Sequence, residues 1–267
     1  MTTLAVLTNW KRAANIGPIA RALLAGDIRP DRIVLVDNSP WDAPPFDADD
    51  CTDTIRVTYA NLGPSCRFLA PLAFPGYDYC LLVDDDVLPH STMLAHLLAT
   101  ARYLGGQFST LGLVGRVYDY DGTKASCIKR NAGRDVEFPQ AVDCTCRVHL
   151  FRTLDIQHVI SFRHDLIRQF GERAKVFTGL HDDVTLCCAI QRHTRLMSYL
   201  APIGGSYTEG EVHSFHPARR FTELPDASPA SGRSTHVEER NALLKMAHTV
   251  GWRPLATRIQ STEDANC

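Results

Sequence analysis

The sequence predicts an α/β fold: a mostly parallel central sheet flanked by helices, with an additional smaller mixed sheet. Three observations carry this expectation. Thr3 to Thr8, Arg32 to Val36 and Tyr79 to Val83 are short continuous apolar runs bounded by turn signals, as in strands buried on both faces. Between the first two runs, Ile16, Ile19, Ala20, Leu23 and Leu24 recur at helical spacing, which makes a strand–helix–strand unit. After the third run, Met93, Leu94, Leu97, Leu98 and Ala101 form a second amphipathic stripe. A chain of 267 residues can bury a large core, and no linker, internal repeat or low-complexity tract divides it, so one domain over 1–267 is expected.

Each element has its own signal. The first strand, Thr3 to Thr8, ends at Asn9 and is followed by Trp10, Lys11 and Arg12. Asn15 is the predicted N-cap of the first helix and Gly26 its stop. The second strand runs out into Asp37-Asn38-Ser39-Pro40, and the Pro- and Asp-rich stretch from Pro40 to Asp53 reads as a surface loop. Thr54 to Tyr59 is the third strand, and Asn61-Leu62-Gly63-Pro64 turns out of it into a short helix, Ser65 to Phe74, that carries Arg67. Tyr79 to Val83 is the fourth strand. His90 to Leu104 is a helix that Gly105-Gly106 stops.

Beyond it the pattern turns to mixed sheet. Leu111 to Val117 reads as strand, Tyr118 to Gly122 as a turn and Gln140 to Phe151 as extended. Gln157 to Phe162 is an apolar segment, followed by a short helix from Arg163 to Phe170 that Gly171 ends. A helix from Val184 to His193 has Asp182 and Asp183 near its start, where the helix dipole favours acids. Leu196 to Ala201 is the last strand, 204–233 an aperiodic loop or lid, His236 to Thr249 a terminal helix, and the tail after Trp252 loose.

Composition excludes several classes. A net charge of −2 leaves no footprint for nucleic acid or an anionic membrane. Leu4 to Leu7 is too short for a signal peptide and meets Asn9, Lys11 and Arg12 at once. No stretch approaches the roughly 18–20 apolar residues of a membrane span. The expectation is a soluble, cytoplasmic protein. Nine cysteines, an odd number scattered over core and loops, suit a reduced chain. Cys144, Cys146 and His149 are the only tight Cys/His group, and their C-x-C-x-x-H spacing matches no common zinc pattern.

The chemistry concentrates at Asp84, Asp85 and Asp86, where the fourth strand ends. That edge of an open α/β sheet is where ligands bind. Strand alternation would send Asp84 and Asp86 to one side and Asp85 to the other. Three adjacent carboxylates raise one another's pKa unless something positive sits among them. The simplest such group is Mg2+ or Mn2+, held by one or two carboxylates plus substrate phosphates; the alternative is a solvated acidic turn.

The order of the pieces resembles the GT-A glycosyltransferases, in particular the family-2-like group, over roughly residues 3 to 200. The resemblance rests on LTNWKR after the first strand, VDNS at 36–39, Asn61-x-Gly63-x-x-x-Arg67, LLVDDDVLP with its Asp-x-Asp, and GLHDDVTL near the acceptor element. It implies a Rossmann-like GT-A domain with a nucleotide-binding half at 1–104, an acceptor-side half at 105–203, a lid at 204–235 and a terminal helix and tail at 236–267. It further implies transfer of a sugar from a nucleotide-sugar, UDP- before GDP-, to a hydroxyl-bearing acceptor such as a glycan, lipid-linked sugar, natural product or protein. A homodimer is left open.

The resemblance also implies roles. Asp84 and Asp86 would be the Asp-x-Asp acids, with Asp86 directly on Mn2+ or Mg2+ and Asp84 turned toward the ribose or nucleotide. Asp37 would accept a hydrogen bond from the base. Thr8, Asn9, Arg12, Asn61 and Asp85 would line the nucleotide-sugar pocket, and Arg67 would reach the nucleotide or its phosphates. His213 or His216 would add a metal ligand, or else are ordinary loop residues. Asp183, with Asp182 as its substitute, would be the catalytic base of an inverting transfer, or else both cap a helix. Pro40 and Asp182 depart from the family, which often has Gly-Ser and Glu there. The Gln-x-x-Arg-Trp motif of processive members is absent, which fits single-sugar transfer. Other readings are a retaining glycosyltransferase, a non-catalytic nucleotide-sugar binder, and a sugar nucleotidyltransferase. The last expects a Gly-rich loop after the first strand, where NWKRAANIG has a single glycine.

Overall fold

The computed structural model describes residues 1–10, 12–39, 50–57, 62–120, 125–132, 136–203 and 236–255. In chain order the elements are β1 (Thr3–Asn9), α1 (Ala13–Leu24), β2 (Arg32–Asp37), β3 (Asp53–Arg56), a 3-10 turn (Pro64–Phe68), α2 (Leu69–Ala73), β4 (Tyr79–Val83) and α3 (Met93–Tyr103). Then follow β5 (Leu111–Gly112), β6 (Val114–Tyr120), β7 (Ala125–Ala132), β8 (Gln140–Val142), β9 (Cys144–Cys146) and β10 (Val148–Arg152). The helices α4 (Ile156–Phe170), α5 (Glu172–Leu180) and α6 (Asp182–Thr194), the strand β11 (Ser198–Leu200) and the helix α7 (His236–Thr249) complete the set.

Eight strands form one sheet in the order β3-β2-β1-β4-β10-β5-β11-β8, and β7-β6-β9 form a small antiparallel sheet. β1 to β4 are parallel, and their unbroken apolar runs are buried on both faces: Leu4 to Val6, Val34 to Val36 and Cys80 to Val83 are wholly inaccessible. Register fixes where they end. Leu7 lies opposite Val83 and Asn9 opposite Asp37, so Asn9, Asp37 and Asp84 emerge at one edge. β10 runs the other way, with Val148 opposite Val83, so its first residues join the same edge. An antiparallel strand inserted beside β4 is therefore what carries Arg147 and His149 to the acids.

Two close approaches hold the second half in place. Gly112 lies where a Cβ would come within 2.7 Å of both Thr145 Cβ and the Val148 carbonyl, so β5 packs flush on β9 and β10. Gly63 has φ +70°, and a Cβ there would stand 2.8 Å from the Gly179 carbonyl, which presses the 3-10 turn against the end of α5. Trp252 Nε1 donates to Gln191 Oε1 at 2.9 Å, and the Leu255 amide donates to Asp143 at 2.6 Å, fastening the chain after α7.

Several expectations are corrected. α1 starts at Ala13, so Asn15 is inside the helix and caps nothing; its amide donates instead to the Asp85 carbonyl at 2.7 Å. The helix ends at Leu24, with Ala25, not Gly26, as its cap. The third strand is Asp53–Arg56, one residue earlier than expected at its start; residues 58 and 59 of the expected strand lie outside the described residues. The 156–170 region is one 15-residue helix, because Ile156, Val159, Phe162 and Leu166 form one buried stripe. The helix α5 was not expected; only Ala174, Phe177 and Thr178 are buried in it, too few for a clear period. The expected strand from Leu111 to Val117 divides between the two sheets. The loop at 204–233, with His213 and His216, and Asn61 lie outside the described residues. Among the described residues no helix is long and apolar enough to cross a membrane.

Candidate active site

The acids at 84–86 are not a continuation of β4. The strand stops at Val83, and the Val87 amide closes a turn on the Asp84 carbonyl at 3.2 Å. The alternation expected of a strand is therefore lost. Asp84 turns to Arg67, whose Nη1 donates to its Oδ1 at 2.6 Å. Asp85 and Asp86 share Arg12, whose Nη1 lies 2.8 Å from Asp85 Oδ1 and 3.4 Å from Asp86 Oδ2. Arg147 Nη1 stands 3.6 Å from Asp86. The positive groups among the three acids in this chain are thus arginines.

Arg147 has φ +67°, a left-handed backbone at a non-glycine residue, between β9 and β10. Such conformations cost on the order of 1 kcal/mol or more and collect at functional sites. Here the strain has a visible use: the Arg147 carbonyl accepts the Asp84 amide at 2.9 Å while its side chain faces Asp86. Sequence reasoning did not single out Arg147, since neither motif nor periodicity marks a residue defined by its φ.

Arg67 is the centre of the arrangement. It is 3% exposed and meets Asp84, Asp182 and, through Nη2 at 2.9 Å, Asp183 Oδ1. One guanidinium therefore joins the β4 turn to the start of α6. Asp182 and Asp183 are the first two residues of α6, but neither caps it: His181 holds the cap position and no side chain bonds the free amides. His149 Nε2 lies 2.9 Å from Asp183 Oδ1, and its Nδ1 lies 2.7 Å from Thr145 Oγ1. With both ring nitrogens engaged, His149 is not free to complete a zinc site with Cys144 and Cys146. Among the described residues no group of three or more His, Cys, Asp or Glu side chains is placed to hold a metal ion.

The same residue type is driven in opposite directions across this site. Burial pushes the Asp84 carboxyl up to about 7, reinforced by Asp183, Asp86 and Asp182, against the pull of Arg67. Burial likewise lifts Asp85 to about 6, opposed by Arg12. Burial disfavours the charge on Asp183 too, but His149 and Arg67 outweigh it and hold that carboxyl well below the ordinary range. His149 in turn is raised to about 10: burial works against its charge and Asp183 overrides it. Asp84, Asp85, Asp86, Asp182 and Asp183 are interleaved with Arg12, Arg67, Arg147 and His149, and Arg116 also acts on Asp183.

Two of these acids have the donor chemistry of a cation site. Asp84 and Asp86 are partly exposed at the mouth, and two carboxylates completed by phosphate oxygens and water are an ordinary set for Mg2+ or Mn2+. Polar atoms at the same edge also lack partners: Thr8 Oγ1 and Asn15 Oδ1 are buried and unpaired. Asn9 is already committed, its amide donating to Asp37 and Ser39 and its Oδ1 accepting from the Arg12 amide. Asp37 Oδ1 accepts from Asn9 and the Ser39 amide, and among the described residues Oδ2 stands 3.8 Å from Arg56. So Asn9 shapes the edge from within and holds the buried Asp37 beside it.

The architecture, with a parallel β3-β2-β1-β4 half joined to an antiparallel β10, is GT-A-like. No protein-family model and no curated protein matches the chain. Among solved structures, GalNAc-T7 with UDP, GalNAc and Mn2+ matches with a TM-score of 0.55 and 9% identity, over 75% of this chain and 42% of that one. The S. aureus TarS 1–349 structure in complex with UDP matches with a TM-score of 0.49 and 12% identity, over 76% and 58%. CMP:2-keto-3-deoxy-manno-octonic acid synthetase with CTP matches with a TM-score of 0.46 and 8% identity, over 77% and 91%. The chain thus spans 58% of the TarS fragment and 42% of GalNAc-T7.

Proposed function

We propose that this chain is a metal-dependent glycosyltransferase that moves a sugar from a nucleotide-sugar, UDP-linked before GDP-linked, to an acceptor hydroxyl with inversion. The observation that supports this most is the joining of two acidic groups by one buried arginine: Asp84 at the end of β4 and Asp183 at the start of α6 both bind Arg67. A donor lying along the edge of β1, β2 and β4 would have its phosphates beside the first group and its anomeric carbon toward the second. The GT-A-like fold is consistent with this, and GalNAc-T7 is a structure solved with UDP, a sugar and Mn2+.

Asp86 and Asp84 would hold the divalent cation, which when bound offsets the negative charge gathering on the departing diphosphate. Thr8 and Asp37 line the β1 and β2 tips where the nucleoside would sit. In the reaction the acceptor oxygen bonds to the anomeric carbon as the carbon–oxygen bond to the phosphate breaks. The bonding pair leaves with the nucleoside diphosphate, and the acceptor proton goes to Asp183. Asp183 is ionised, the state a base requires. Its Oδ1 already accepts from Arg67 and His149, which leaves Oδ2 to take the proton.

Incubation with a panel of nucleotide-sugars and sugar acceptors, followed by product analysis, tests the reading. Glycosylated acceptor and free nucleoside diphosphate are expected. Release of pyrophosphate from a nucleoside triphosphate and a sugar phosphate would replace it with nucleotidyl transfer.

A further inference from the structure

We propose that His149 is a permanently charged imidazolium that orients Asp183 and keeps it a carboxylate, locked in that state by a one-way chain of buried hydroxyls. It is a positioning residue, and its meaning for catalysis rests on the glycosyl-transfer reading above. The hydrogen bonds themselves do not.

The argument is a count of hydrogens. His149 is wholly buried on β10, so both ring nitrogens need partners, and they have them in Asp183 and Thr145. Thr110 Oγ1 donates its single hydrogen to Ser198 Oγ at 2.8 Å. The 3.0 Å contact between Thr110 Oγ1 and Thr145 Oγ1 must then use the hydrogen of Thr145. Thr145 has none left for the ring, so His149 Nδ1 is the donor in its 2.7 Å bond to Thr145. Nε2 faces an ionised carboxylate that only accepts, so it donates as well. A ring with two donors is an imidazolium.

The chain continues without a reversal. Ser198 Oγ accepts from Thr110 and from Gln191 Nε2 at 2.8 Å, and passes its own hydrogen to Ser109 Oγ at 2.8 Å. Gln191 is held by Trp252 Nε1 and by the Asp143 carbonyl at 2.6 Å. Thr110, Thr145, Ser198, Gln191 and Trp252 are all buried, so water does not offer an alternative donor. The titratable and charged groups that face the ring are Asp182, Asp183 and Cys187 from α6, Arg67 from the 3-10 turn and Cys146 from β9; the Cys187 sulfur also lies 3.5 Å from both Thr110 Oγ1 and Thr145 Oγ1, a weaker partner than the oxygens at 2.8 and 3.0 Å. The raised affinity of His149 for its proton agrees with the count.

Nitrogen NMR of histidine-labelled full-length protein tests this directly. In the wild type, both His149 ring nitrogens should stay protonated at pH 8, where an ordinary imidazole, titrating near 6.5, is neutral. Asp183→Asn, and separately Thr145→Val, should each leave the ring neutral at pH 8. A neutral His149 at pH 8 in the wild type, or a ring indifferent to both substitutions, would overturn the proposal. The consequence for turnover has its own readout. His149→Gln keeps a donor for Asp183 without the charge; kcat should fall about tenfold or more and the acidic limb of the pH–rate profile should move to higher pH, with Mn2+-dependent UDP binding retained. A profile unchanged in His149→Gln would remove the link to catalysis. Failure of the wild type to bind UDP would undo the glycosyl-transfer reading and leave the NMR result standing.

Discussion

The β4 turn and the start of α6 present the same side chain, aspartate, on either side of one arginine, yet they behave as opposites. At the turn, burial and neighbouring acids (Asp183, Asp86 and Asp182 for Asp84, Asp86 for Asp85) lift the Asp84 and Asp85 carboxyls to about 7 and about 6. At α6, Asp183 accepts from two cations through one oxygen and is held strongly acidic. The difference teaches that residue type does not set the role; the balance of burial against the facing cations does, and Asp182, beside the same Arg67, is raised because burial wins there. The turn keeps Asp84 and Asp86 partly exposed, within reach of an added cation. At the helix start, Arg67 and His149 fix Asp183 in charge and direction.

Removing the last acid of the turn should break the comparison most completely. Asp86→Ala is expected to lower transfer by on the order of a thousandfold, measured as initial rate at saturating Mn2+, because charge on the leaving group loses its counterion. The protein should still fold, since Asp86 is partly exposed and makes only the 3.4 Å and 3.6 Å contacts to Arg12 and Arg147. Arg67→Met strikes both regions at once by leaving Asp84, Asp182 and Asp183 without their shared partner. Breaking one side of a buried ion network costs about 3–5 kcal/mol, and urea unfolding should show a loss of that order. Asp183→Asn should lower kcat by about a hundredfold and leave UDP binding unchanged, separating the helix start from the turn.

The opposed shifts also set opposed pH dependences. Asp84 and Asp85 bind protons more tightly folded than unfolded, so their contribution to stability is complete below the ordinary carboxylate range near 3.9 and is lost as pH rises toward about 6 to 7. Asp183 does the reverse: its contribution is present above that range and is lost as pH falls below it. Protons therefore compete with a cation at the turn and not at the helix. Thermal stabilisation by Mn2+ with UDP should grow from pH 5 to pH 7.5 by about tenfold in affinity over the whole range, the smallest of these effects. A flat response over that range would place the cation elsewhere.

Much of the turn's surroundings was legible in sequence because the signals are local. Tyr79–Val83 is found as expected, since four apolar residues running into three acids can only be a buried strand meeting the surface. His236–Thr249 is likewise found at its expected bounds. Arg67, Asp84 and Asp183 were all singled out, but the bond between Arg67 and Asp183 spans 116 positions and no spacing announces it. His149 was noticed beside Cys144 and Cys146 as an unconvincing zinc pattern. Its actual partner comes from a helix 34 positions on, and it reaches that partner because β10 runs antiparallel to β4. The strand-like alternation of Asp84 to Asp86 failed for a local reason: the turn closed by Val87 ends the pleat at Val83.

The central claim is that the acids after β4 bind a nucleotide diphosphate through a divalent cation. Isothermal titration of UDP into the metal-free chain, then with Mn2+, then into Asp86→Ala with Mn2+, tests it most directly. Binding at one site that requires Mn2+ and disappears in Asp86→Ala is the expected result. UDP binding that is indifferent to Mn2+ and to residue 86, or no binding under any of the three conditions, would contradict it.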